Sequence, residues 1–138
     1  MLSKVLWLSG SAIFFILGSL HLVYTFFSTK LDPRNKTVID EMKATFLRLT
    51  DETTAWKAWI GFNASHSAGA IFFGAINIIL SARHFYIIEN SFLLSFLTIL
   101  TSVFYLGLAR KYWFSIPYIG ILVATACFIA SPVISFFI

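Results

Sequence analysis

Two histidines, His21 and His66, stand inside long apolar runs of this chain. Ionisable groups are costly to keep within hydrocarbon, so they are the first place to look for a membrane protein's chemistry. An imidazole can donate and accept hydrogen bonds, carry a proton or ligate a metal. Tyr24 lies three residues after His21 and Asn63 three before His66, so each pair shares a helix face. A third run adds the phenol of Tyr105 and, near its end, the guanidinium of Arg110.

Three kinds of chemistry suit such a set. The groups can bond to one another and simply fix helix packing. They can form a polar pocket with apolar walls, suited to a lipid, a quinone or another amphipathic molecule. Bis-histidine haem ligation is the third, with Arg110 meeting a propionate. A zinc site is not expected, because two histidines are too few and no intramembrane carboxylate joins them. Cys127 is the only cysteine, which excludes an internal disulfide and a thiolate cage. No glycine-rich nucleotide loop is present. The residues name no cofactor, and none takes a defined catalytic role.

The elements that position these groups follow from hydropathy. The apolar runs are Val5–Phe27, Ala58–Ala82, Ser91–Ala109 and Trp113–Ile138. Each approaches the roughly 20 residues an α-helix needs to cross about 30 Å of hydrocarbon. With 59% hydrophobic and 12% charged residues, the chain lacks the polar surface of a water-soluble domain. The sequence therefore predicts an all-α integral membrane four-helix bundle forming one domain. Its spans lie at about 5–27, 58–82, 86–109 and 113–138, with a loop over 28–57. Lys4 before the first run resembles a signal-peptide start, but the run is long and no small-residue cleavage site follows it, so a retained helix is expected.

Charge placement predicts orientation. Lys30, Arg34, Lys36, Lys43, Arg48, Lys57, Arg110 and Lys111 fall in or beside the first and third loops; Lys4 and Arg83 mark the other side. The positive-inside rule then puts loops one and three in the cytoplasm and both termini outside it. The formal charge of +4 is modest. Membrane lipids, an amphipathic small molecule, membrane-protein partners or a second copy are the expected company, rather than nucleic acid.

In that orientation His21 and His66 reach nearly the same depth. His21 is six residues before the inner end of the first span and His66 eight after the inner start of the second. At 1.5 Å per residue, both lie roughly 9–12 Å below the interface. Tyr105 approaches the same level, with Arg110 just above. The expected site is a cytoplasm-facing pocket of His21, Tyr24, Asn63, His66, Tyr105 and Arg110.

The first loop has its own pattern. Asp32-Pro33 closes the first helix region. Thr37 to Asp40 then gives a capping-type start, and Val38, Met42, Phe46 and Leu49 form an apolar stripe at helical spacing. A short amphipathic helix on the inner surface is expected. Thr50-Asp51-Glu52-Thr53 reads as the start of the next helix. Trp7 at one end, and Trp56, Trp59, Tyr112 and Trp113 at the other, suit interface anchors. Gly61, Ser65 and Gly69 recur every four residues, a spacing that admits a neighbouring helix closely. Pro117 lies in the first turns of the fourth span, where it costs little, and Pro132 lies near its end. Asn35-Lys36-Thr37 matches a glycosylation sequon, which an inner location makes accidental.

Three stretches carry a resemblance: His21-Leu22-Val23-Tyr24-Thr25-Phe26, Trp59 to Gly69, and Tyr112-Trp113-Phe114-Ser115-Ile116-Pro117. Together they resemble a family of small, uncharacterised bacterial four-span proteins, over essentially the whole chain. The resemblance implies an inner-membrane location and brings no activity with it. The architecture is also similar to that of the membrane-associated eicosanoid and glutathione metabolism proteins, which have four spans and a long cytoplasmic first loop. Their second helix carries Asn, then Glu three residues on, then Pro. Here Asn63 is followed by His66 and Gly69, so the acid and the proline are missing. This likeness implies a glutathione-dependent membrane transferase, with Arg110 and Tyr112 activating the thiol. The residues themselves favour binding of an amphipathic ligand or service as an accessory subunit of a membrane complex, with the transferase and a haem subunit as alternatives.

Overall fold

The computed structural model describes residues 1–137. Among these residues it forms six helices and one two-stranded hairpin, in the order α1 (Leu2–Phe27), α2 (Lys36–Ala44), β1 (Phe46–Leu47), β2 (Thr50–Thr54), α3 (Ala55–Arg83), α4 (Phe85–Asn90), α5 (Phe92–Tyr112) and α6 (Ser115–Phe137). The all-α class holds. Helices α1, α3, α5 and α6 are long and apolar enough to cross a membrane. The chain groups into two compact units, one of Met1–Leu17 with the residues from Ala70 onward, the other of Gly18–Gly69.

The first unit packs around Trp7, Phe14, Ile88, Ile121, Ala124 and Phe128. Its rings meet edge to face, Trp7 on Phe128 at 5.1 Å and Phe14 on Phe73 at 4.7 Å, the arrangement their quadrupoles favour. Lipid tails are as apolar as these side chains, so helix association here depends on close packing and hydrogen bonds. Both are present. A Cβ on Gly74 would sit 2.5 Å from the backbone nitrogen of Phe15 and 2.8 Å from the carbonyl oxygen of Ser11, so α1 and α3 touch main chain to main chain. The hydroxyls of Ser102 and Thr125, 2.7 Å apart, join α5 to α6.

Trp7 is fully enclosed, not an interface anchor, and its indole donates to Asn77 Oδ1 at 2.9 Å. The ring is buried because α3 presents an amide at its level. The expected small-residue seam is also displaced. Gly61, Ser65 and Gly69 are all exposed, and nothing lies within 4 Å of a Cβ built on Gly61. The close approach falls on Gly74 instead.

Local signals set the element ends. Ser91 accepts a hydrogen bond from Leu94 N at 3.2 Å, capping α5 and separating it from α4. The span expected over 86–109 is therefore a short helix followed by a longer one ending at Tyr112. Arg110 and Lys111 occupy the last turn of α5, where cations suit the helix dipole. Pro117 is third in α6, where its missing N–H is not needed.

In the second unit the loop departs from its expected form. The cap of α2 is Asn35, whose side chain accepts from Thr37 N at 3.0 Å, and the helix stops at Ala44. Phe46 and Leu49 thus leave the expected stripe; Phe46 pairs with Thr54 in an antiparallel hairpin, and Leu49 in its turn is 91% exposed. Thr50 to Thr53 belong to β2 and do not open a helix. β-branched threonines suit a strand, and Thr54 Oγ1 accepts from Lys57 N at 3.4 Å to start α3. Lys43 Nζ lies 5.6 Å from the Trp56 ring centre, linking α2 to the foot of α3.

Candidate functional site

The second unit brings three of the six expected residues together. His21 Nε2 lies 3.0 Å from Asn63 Oδ1, and the His21 and His66 rings meet edge to face with centres 5.5 Å apart. All three side chains are half-buried. Asn63 Nδ2 donates to the Trp59 carbonyl at 2.8 Å, which orients the amide and leaves its oxygen towards His21. An oxygen there can only accept, so Nε2 of His21 carries the hydrogen and Nδ1 is the acceptor of the neutral ring. Thr25 Oγ1 and Ser67 Oγ donate to the carbonyls of His21 and Asn63, each at 2.8 Å, so neither hydroxyl competes for the amide.

Tyr24 stands one turn beyond His21 and stacks against a cation, with Lys30 Nζ 4.3 Å from its ring centre. Tyr105 and Arg110 belong to the first unit. Tyr105 packs on Phe14 at 5.4 Å and on Trp113 at 6.3 Å, while Arg110 is exposed at the end of α5.

No family model, curated protein or solved structure matches this chain. The set offers one ring acceptor, a second imidazole and an amide within a few ångströms, inside otherwise apolar helices.

Two polar groupings in the first unit escaped the sequence analysis. Asn77 Oδ1 accepts from Trp7 and, at 3.5 Å, from Thr98, joining three helices. Ser3, Ser131 and Ser135 converge with Glu89 where α1 begins and α6 nears its end. An amide in mid-span was a visible signal for the first. Serines are too common in membrane helices to have marked the second.

Proposed function

We propose that this integral membrane protein binds the polar head of an amphipathic molecule, a lipid or a quinone, at His21, Asn63 and His66. The 3.0 Å contact between His21 and Asn63, with the His66 ring beside it, carries the reading. Keeping three polar side chains half-buried in apolar helices is costly unless they have partners. The amide takes the Nε2 hydrogen of His21, and its Nδ1 suits a ligand hydroxyl as donor. The weight of basic residues in loops one and three supports a cytoplasm-facing pocket.

Mass spectrometry of lipid extracts from protein purified in mild detergent tests this. Wild type should retain a lipid or quinone species that His66→Ala and Asn63→Ala lose, while both variants remain folded. Identical extracts from a less stable variant would mean that the cluster only holds helices together.

A further inference from the structure

We propose a second binding site, at the other polar cluster, for the ammonium group of an amphipathic amine. A cavity of about 620 Å³ opens between the start of α1, α4, the first turn of α5 and the end of α6. Its polar lining is Ser3, Glu89, Asn90, Ser95, Ser131 and Ser135, and Phe85, Phe92 and Pro132 contribute apolar wall. These positions are at helix ends, the level at which a span meets the headgroups.

Glu89 is the only acidic side chain in the sequence of its unit. Among the described residues its partner is a hydroxyl, Ser135 Oγ at 3.4 Å, and no cation pairs with it. The hydroxyls are short of hydrogens. Ser131 Oγ donates to the Ser3 carbonyl at 2.9 Å, which uses its only hydrogen. Three contacts remain: Ser3 to Ser131 at 3.1 Å, Ser3 to Ser135 at 2.5 Å, and Ser135 to Glu89 at 3.4 Å. Ser3 and Ser135 have one hydrogen each, so two hydrogens serve three contacts, and an ionised carboxylate supplies none.

A ligand that completes this cluster must donate, and it must suit a carboxylate. A primary ammonium does both, with three N–H donors and a positive charge for a charge-assisted bond. A quaternary ammonium has the charge without the donors, and an alcohol has a donor without the charge. The phenylalanine walls suit the methylenes behind the head. Either a lipid with a primary amine in its headgroup or a free long-chain amine presents this chemistry.

The full chain in phosphatidylcholine nanodiscs, titrated with dodecylamine, dodecanol and dodecyltrimethylammonium and followed by thermal shift, tests the site. Dodecylamine should stabilise wild type saturably, and the alcohol and the quaternary amine should act at least tenfold more weakly. Glu89→Gln should weaken dodecylamine at least tenfold, and Ser135→Ala a few-fold. His66→Ala should leave the response unchanged, which separates this site from the one proposed above. Adding phosphatidylethanolamine should move the dodecylamine curve to higher concentration if the lipid headgroup is the occupant; an unmoved curve assigns the site to free amines. Equal responses to amine and alcohol, no saturable response in wild type, or Glu89→Gln and Ser135→Ala both responding like wild type would overturn the proposal. Should Glu89→Gln fail to fold, Ser135→Ala and the three-ligand comparison decide it.

Discussion

The indole Nε1 of Trp7 donates to Asn77 Oδ1 at 2.9 Å, and both residues are enclosed, at 0% and 3% exposure. The amide nitrogen of Asn77 in turn donates to the Phe73 carbonyl at 3.0 Å, so its oxygen is held in place for the indole. Trp7→Phe removes the donor and keeps most of the ring, leaving Thr98 as the remaining donor to Oδ1 at 3.5 Å. Asn77→Ala leaves a buried indole N–H unpaired and opens space. A double-mutant cycle between the two, followed by thermal denaturation in detergent, should give a coupling of about 0.6–1.7 kcal/mol, the range of polar pairs in membranes. Additive losses would mean that packing alone holds Trp7.

Gly74 and Gly61 should respond oppositely to alanine. At Gly74 the new methyl would meet main-chain atoms of Phe15 and Ser11 at under 3 Å, and a backbone cannot swing aside as a side chain does. Loss of about 1–3 kcal/mol or more is expected, with poor yield of folded protein. At Gly61 the methyl meets nothing, and helix propensity favours alanine by up to about 1 kcal/mol. Thermal melts of the two variants side by side check the pair. A tolerant Gly74 would contradict the close crossing of α1 and α3.

Ser91→Ala should cost about 1 kcal/mol by removing the acceptor for Leu94 N at the start of α5. Ser91→Asp keeps an acceptor and should recover most of the loss. A thermal melt that cannot tell Ser91→Ala from wild type would show that the turn between α4 and α5 is held by other contacts.

Orientation is open to direct labelling. Lys4 Nζ reaches the Ala82 carbonyl at 3.0 Å, so the start of α1 and the end of α3 are at one end of their unit. Under the proposed orientation, cysteines replacing Leu2 or Tyr86 should react with a membrane-impermeant thiol reagent in intact cells. Cysteines replacing Asn35 or Lys111 should react only after lysis. Cys127→Ser supplies the background. The reverse pattern would place the histidine cluster on the outer side.

The four apolar helices were legible in the residues, because spanning length and composition are properties of each segment alone. Counting residues from the run ends put His21 and His66 at one depth, and the structure brings their rings to 5.5 Å, with Asn63 bonded between the helices that carry them. The residues also indicated a short helix in the first loop. The hairpin after that helix was not legible, since Phe46 and Leu49 continue a helical spacing as well as they suit a strand and turn. Which face of each helix meets protein emerges from packing alone. A membrane helix is apolar on its lipid side and on its packed side alike, so hydropathy carries almost no signal for that choice. Hence Gly61, Ser65 and Gly69 looked like the seam while Gly74 is where the backbones meet. Trp7 likewise had the position of an interface ring, and it is buried because Asn77, seventy residues away, offers an acceptor at its level. Ser3, Ser131, Ser135 and Glu89 come from three helices and share no local pattern; only folding gathers them around one cavity.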